Sequence, residues 1–319
     1  MQKRQIGKSP LMVSPLTFGG NVFGWTIDET TSFSILDAFV DAGFEFIDTA
    51  DVYSAWKTGN QGGESETILG AWMKARGNRS KLIIATKVGM ELAPGKSGLA
   101  APYIMRAVED SLRRLRTDYI DLYQAHRDDP STPLDETLEA FDSLVKQGKV
   151  RAIGASNYSP ARLEEALSIS EHRNLARFDC LQPEYNLYQR EGYEKELEGL
   201  CVKHSVGVIP YYALASGFLS GKYRSERDLS QSTRGTKVSA YLNERGFRIL
   251  AALDEVSKAH DCAPASIALA WLMQRSSITA PIASATSLSQ LSELTRAAHL
   301  KLSADELILL NRASESAAS

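Results

Sequence analysis

The sequence predicts an α/β chain folded as a (β/α)8 (TIM) barrel, with an N-terminal hairpin and long loops on the C-terminal face. Three observations carry this. Eight short apolar runs alternate with helix patterns along the chain. A length of 319 residues suits one such barrel, and no linker or shift in composition divides it, so residues 1–319 read as a single domain. The second, third and fourth runs each stop at an ionisable residue of a different kind: Asp48 (with Tyr53 just beyond), Lys87 and His126. In a parallel barrel these strand ends converge on one mouth.

Taken in order, Gln5–Val13 is expected to form a hairpin plugging the barrel base. The strands expected are Leu16–Phe18, Phe44–Asp48, Leu82–Lys87, Tyr119–Ala125, Arg151–Gly154, Cys180–Gln182, Gly207–Pro210 and Thr279–Ala283. Most are apolar and rich in β-branched or aromatic residues, as strands covered on both faces should be. Between them, Asp28 caps a helix that Gly43 ends, and Ile68, Leu69, Trp72 and Met73 mark a second ending at Gly77. Pro102 opens a third, carrying Val108, Leu112 and Leu115. Thr132-Pro133-Leu134-Asp135 reads as a cap, a first-turn proline and an acidic third position, with Gly148 as the stop. Ser159-Pro160 starts another helix, Ser287 with Gln290 reads as a capping box, and Ser303 with Glu306 as a second. The polar stretch Tyr223–Lys237 reads as a long loop covering a site.

Composition excludes several classes. At 43% hydrophobic and 24% charged the chain is that of a soluble globular protein. A net charge of −3 argues against nucleic acid or an anionic membrane as partner. The start, Met1-Gln2-Lys3-Arg4-Gln5, lacks a signal peptide's apolar core, and the apolar stretch Val206–Leu219 is too short to span a membrane, so a cytoplasmic location is expected. Cys180, Cys201 and Cys262 form no CxxC and fit a reducing compartment. His172, His204, His260 and His299 have no metal-ligand spacing, and no metal is expected. Gly19-Gly20-Asn21 lies in a stretch without GxGxxG spacing, which excludes a dinucleotide fingerprint of that type.

An acid, a phenol, an ammonium and an imidazole at one mouth can move a proton onto a carbonyl oxygen. Tyr53 is the donor, although a free phenol near pKa 10 is a weak acid at neutral pH. A Lys87 ammonium beside it is expected to lower that pKa; at 4 Å such a contact is worth about 4 kcal/mol before desolvation. Asp48 would keep Lys87 charged, and His126 would orient the carbonyl. Charge collects on the oxygen only if something adds to the carbon, and no paired Ser or Cys nucleophile is evident, which points to hydride from a cofactor.

On these residues the chain resembles the aldo-keto reductases, nearly end to end. Phe46-Ile47-Asp48-Thr49-Ala50-Asp51-Val52-Tyr53 is similar to the segment carrying that family's catalytic Asp and Tyr. Ala85-Thr86-Lys87-Val88-Gly89 and Asp121-Leu122-Tyr123-Gln124-Ala125-His126 resemble the Lys and His segments. The resemblance implies a nicotinamide cofactor, NADP(H) first and NAD(H) as the alternative. It implies that Ser156, Asn157 and Gln182 hold the carboxamide and that Tyr211 stacks on the ring. Leu214, Ser216, Leu219, Gly221 and Lys222 would cover the pyrophosphate, Gly20 and Asn21 approach from the first strand's exit, and Ser284, Thr286, Gln290 and Glu293 take the adenosine end. Plain structural readings stand beside these: Ser287 merely caps, Tyr211 merely packs, Lys222 is merely solvated.

The sequence departs from the family where many members place a Lys or Arg on the 2′-phosphate. Here stands Ser284-Ala285-Thr286-Ser287, with Gln290 in place of Arg, Leu294 in place of Asn, and Tyr212 in place of a Ser. For substrate, Trp25, Trp56 and Arg127 sit on mouth loops; Trp56 is an apolar wall or a packing residue, and Arg127 draws an anion or pairs with Asp128 or Asp129. The activity implied is reduction of a small-molecule aldehyde or ketone. Two alternatives are a cofactor-binding regulatory subunit, since the same barrel resembles channel-associated β subunits, and a Schiff-base aldolase using Lys87. The sequence does not specify an oligomeric state.

Overall fold

The computed structural model describes residues 2–316 except 234. Among them a hairpin of β1 (Arg4–Gln5) and β2 (Met12–Val13) precedes eight parallel strands. These are β3 (Thr17–Gly19), β4 (Phe46–Asp48), β5 (Ile83–Val88), β6 (Ile120–Ala125), β7 (Val150–Ser156), β8 (Phe178–Gln182), β9 (Gly207–Val208) and β10 (Ile282–Ala283). They pair in the order β10-β3-β4-β5-β6-β7-β8-β9. The last seam is joined by Thr279 N donating to Val208 O (2.8 Å) and Ile282 N donating to Pro210 O (2.9 Å). All eight expected strands are present, with ends that differ by a few residues, and the fold is the expected (β/α)8 barrel.

The period of two along each strand separates two cores. Phe46, Ala85, Leu122, Ala152 and Cys180 point inward and pack with Ile6, Leu11 and Val13 of the hairpin. Their neighbours Ile47, Ile84, Tyr123, Ile153 and Leu181 point outward, under the helices. The hairpin thus fills the base of the barrel, as expected. Arg4 fastens it by donating to Met273 O (2.6 Å) and Ile278 O (3.0 Å). Two residues beyond the inward apolar layer, on the same face, come Asp48, Lys87, Gln124 and Gln182.

The helices begin where local chemistry says they should. Asp28, Ser159, Ser287 and Ser303 each accept a bond from a first-turn amide, and Ser303 with Glu306 forms a complete capping box. Three expectations are corrected. Thr132 does not cap the helix Leu134–Lys146: Pro133 occupies the cap position, and the Thr132 hydroxyl donates to Asp129 Oδ2 (2.7 Å), a better acceptor within reach. Ser287 and Gln290 make only half a box, because the Gln290 side chain goes to Thr286 instead. Finally, the long loop expected over Tyr223–Lys237 has regular turns among its described residues. It contains a 3-10 turn at Glu226–Gln231, with its own Ser225–Asp228 capping box, and a short helix at Gly235–Val238. Just beyond, Tyr241 stacks on Phe218 (5.3 Å between centroids).

Gly7 shows how tightly the hairpin seats. It has φ +57°, and a Cβ there would lie 2.2 Å from Asp179 O. Gly148 has φ +73° with nothing within 4 Å. Gly7→Ala combines left-handed strain with overpacking and is expected to cost about 2–5 kcal/mol. Gly148→Ala carries the strain alone, at about 1–2 kcal/mol. Urea unfolding midpoints of the two variants test the difference.

Candidate active site

Lys87 lies at the centre of the mouth, with a side-chain exposure of 0%. Its Nζ donates to Asp48 Oδ2 (2.6 Å), Tyr53 Oη (2.8 Å) and Thr49 O (2.9 Å). Three acceptors take the three ammonium hydrogens. The Tyr53 hydroxyl also lies 3.3 Å from Asp48 Oδ2. The other Asp48 oxygen accepts from Gln182 Nε2 (3.0 Å) and Gln124 Nε2 (3.3 Å), and Gln182 Nε2 lies 3.2 Å from Gln124 Oε1. Asp48 is therefore held on both oxygens by three strands, β5, β6 and β8.

Gln124 was not singled out by sequence reasoning. The signal was present: it stands two residues after the inward Leu122, so the strand period alone aims it at the mouth. The absence of a side chain at Gly154 makes room for it, since a Cβ there would meet Gln124 Cγ at 3.2 Å.

The expected effect of Lys87 on Tyr53 is overturned. Burial raises the Tyr53 hydroxyl well above the ordinary phenol value, and Asp48 raises it further. The reason is charge balance: Lys87 is already matched by Asp48, so the phenol faces a neutral pair in a dry setting. Tyr53 is thus protonated, a donor. Burial pulls the Lys87 pKa down while Asp48 opposes the fall. The His126 pKa is well below the usual imidazole range, through burial first and then the charges of Lys87 and Arg127. His126 is therefore a neutral imidazole, its ring 6.0 Å from that of Tyr53. Trp56 lies 6.0 Å from Tyr53 on another side, and Trp25 lies 5.5 Å from Trp56, forming an aromatic flank. Arg127 is exposed and makes no ion pair among the described residues: Asp128 pairs with Arg162, and Asp129 accepts from Ser131, Thr132 and Leu99 N.

A second network adjoins the first. Ser156 Oγ donates to Gln182 O (2.8 Å), and Asn157 Nδ2 donates to His126 O (3.1 Å) and Ser156 Oγ (3.0 Å). Tyr211 Oη donates to Asn157 Oδ1 (2.8 Å). Ser156, Asn157, Gln182 and Tyr211 therefore sit together beside His126. Asn157 has φ +57°, a strained backbone that its three side-chain bonds hold in place. From Tyr212 to Gly221 the chain repeatedly enters left-handed space, at Tyr212 (φ +52°), Ala215 (+47°), Ser216 (+58°), Gly217 (+97°) and Gly221 (+78°). These turns are closed by the loop's own amides: Ala215 N donates to Tyr212 O (2.7 Å), Gly217 N to Leu214 O (2.8 Å) and Gly221 N to Phe218 O (3.0 Å). Leu214, Ser216 and Leu219 are in this loop, and the Lys222 ammonium lies 5.1 Å from the Tyr223 ring.

The adenosine-end candidates form separate groups. Ser284 Oγ lies 2.7 Å from both Gly19 O and Asn21 Oδ1, tying β10's exit to β3's, where the Gly20 carbonyl accepts from Ser65 Oγ (2.8 Å). Gln290 Oε1 accepts from Thr286 N (2.9 Å) and lies 3.1 Å from Thr286 Oγ1, so that amide at the helix start is taken. Glu293 lines a cleft of about 340 Å³ with Cys262, Ser266 and Arg296.

An eight-stranded barrel with an ammonium, a phenol, a carboxylate and an imidazole at its mouth defines a class of oxidoreductases. The model of the Aldo/keto reductase family matches residues 15–315, and the chain belongs to that family. It is 34% identical to the uncharacterized oxidoreductase YrpG of Bacillus subtilis, over 98% of this chain and 95% of that protein. It is 32% identical to a probable voltage-gated potassium channel subunit beta of Arabidopsis thaliana (93% and 91%), and 30% identical to protein tas of Escherichia coli (96% of each). Among the described residues no helix is long and apolar enough to cross a membrane, and no group of His, Cys, Asp and Glu could hold a metal.

Asp48→Asn leaves the Lys87 charge buried without its partner and is expected to lower unfolding free energy by about 3–5 kcal/mol near neutral pH. Adding Lys87→Met removes the orphaned charge and should recover part of the loss. Urea titration of the single and double variants measures both.

Proposed function

We propose that this protein reduces a small aldehyde or ketone to an alcohol, using NADP(H) with NAD(H) as the alternative. The observation that carries the reading is the contact of the Lys87 ammonium with both Tyr53 Oη and Asp48 (2.8 and 2.6 Å). Tyr53 is the general acid. Lys87 stabilises the phenolate left when the proton moves to the carbonyl oxygen, and Asp48 holds Lys87 in place. His126, neutral, donates a hydrogen bond that orients the carbonyl. A reduced nicotinamide, when bound, would supply the hydride for the carbonyl carbon.

The donor set fits such a cofactor. Ser156, Asn157 and Gln182 offer donors and acceptors for a carboxamide, and the adjacent Tyr211 offers a ring face. Leu214, Ser216, Leu219, Gly221 and Lys222 would take the pyrophosphate, with the Lys222 ammonium as counter-charge. Gly20, Asn21, Ser284, Thr286, Gln290 and Glu293 would take the adenosine end. Residues 284–293 contain no Lys or Arg, so hydroxyls and amides would receive a 2′-phosphate without full counter-charge. Trp25 and Trp56 favour a substrate with an apolar flank, and Arg127 would sit at the rim. The three acceptors around Lys87 speak against a Schiff base there, which needs a free amine lone pair. We further propose that residues 1–319 act as one domain in the cytoplasm. A second reading, a cofactor-binding regulatory subunit, draws on the name of the Arabidopsis relative.

Tyr53→Phe is expected to lower turnover on a panel of carbonyls by about 10²–10⁴-fold while cofactor affinity changes little. Fluorescence titration and cofactor oxidation rates measure the two. Undiminished turnover sinks the assignment, and tight cofactor binding by the natural sequence without turnover on any carbonyl favours the regulatory reading. Gln290→Arg adds a charge-assisted contact and should tighten NADPH about 10–100-fold with NADH little changed, the gain shrinking in high salt.

A further inference from the structure

Asp51 is a buried carboxyl group that the proposed chemistry does not use. Its exposure is 1%, and among the described residues neither carboxyl oxygen accepts a hydrogen bond of normal length. Its amide donates to Lys87 O (3.3 Å), so it is clamped to β5 directly behind the mouth.

The groups facing it come from four elements. From the helix Glu64–Arg76 comes Glu66, buried, which accepts from Thr86 Oγ1 (2.6 Å) and Arg114 Nε (2.6 Å). From the helix Ala101–Leu115 come Arg114 and Tyr103, from β5 Lys87, and from β6 Tyr123, whose buried hydroxyl has no partner among the described residues. On its own segment only the Val52 amide favours its ionised form. The two cations are already matched, Lys87 by Asp48 and Arg114 by Glu66. A third carboxylate finds neither a cation nor a full set of donors, whereas a protonated one leaves the cluster neutral.

We propose that Asp51 is carried as a neutral carboxylic acid behind the Lys87–Tyr53 pair, and that the proton it holds sets the strength of Tyr53 as an acid. Asp51 is on this view a positioning residue acting through Lys87, and its role in turnover rests on the carbonyl-reductase reading above. Burial raises its carboxyl to about 8, with Glu66 adding to the rise and Arg114 opposing it. When Asp51 loses its proton, its charge draws on the Lys87 ammonium, the phenolate left by proton transfer is less stabilised, and reduction slows.

Two measurements test this. The first is thermal unfolding of the whole chain and its Asp51→Asn variant from pH 5 to 9. A carboxyl raised from about 3.9 in the unfolded chain makes the folded state the better proton binder. Its contribution is full below 3.9 and lost as pH rises through about 8. Asn has no proton to lose, so the variant's Tm should gain steadily on the natural protein up to pH 8 and level off above. A gap that does not change with pH overturns the proposal.

The second is the pH profile of carbonyl reduction. The natural protein should slow through about pH 8 by roughly three- to tenfold, the equivalent of half to one pKa unit of coupling. The step should be absent from Asp51→Asn, whatever the height of its profile. A step that persists there, or rates lowered equally at every pH, overturns the proposal. Glu66→Gln gives a second route: it frees Arg114 to pair with Asp51 and should move the step to lower pH, and an unmoved step again counts against it. If Tyr53→Phe keeps full turnover, the reaction reading fails, while the Tm series still decides where the Asp51 proton resides.

Discussion

The buried pair of Lys87 and Asp48 is the constraint on which the rest of the mouth depends. An ammonium with no exposure loses its hydration, and the loss is repaid only by close, complete coordination. That requirement explains the surroundings. Thr49 turns its carbonyl inward, Tyr53 folds back to share the ammonium, and Gln124 and Gln182 converge on the Asp48 oxygen that Lys87 does not use. Residues from three other strands are thereby drawn to one carboxylate. The same balance decides the chemistry: burial and the Asp48 charge together raise the Tyr53 hydroxyl even with the Lys87 ammonium bonded to it.

The barrel supports this polar layer on an apolar one. The hairpin and the inward residues of β4 to β8 form a dry floor, and one strand repeat higher the side chains become charged or amidic. Charge is arranged in matched pairs there: Lys87 with Asp48 at the mouth, Arg114 with Glu66 behind it. Asp51 feels the charges of both pairs and, among the described residues, has no partner of its own. Burial makes a small imbalance costly, so such a group responds to pH where an exposed one does not.

Membership of the aldo/keto reductase family agrees with the polar layer, and its relatives include an uncharacterized oxidoreductase and a probable channel subunit beta. The departures from the family pattern seen in the sequence, Tyr212 and Ser284 to Gln290, fall in the left-handed run from Tyr212 to Gly221 and at the start of the helix Leu288–Arg296.

Much of the protein is legible locally. Strand patterns, the caps at Asp28, Ser159 and Ser303, and the residues ending β4, β5 and β6 follow from side chains a few positions apart, because those interactions are close in sequence. Family likeness implies that Ser156, Asn157, Gln182 and Tyr211 stand near one another, and the structure places the four side by side. Other features needed the folded chain. Thr132 chose Asp129 over the helix it precedes, Gln290 chose Thr286, Gln124 joined Asp48 from 76 positions away, and Tyr53 became a weaker acid rather than a stronger one. By itself the sequence determined which groups stand at the mouth. Only the tertiary structure decided their protonation, because that depends on how much water is excluded and on which charge, distant along the chain, arrives as partner.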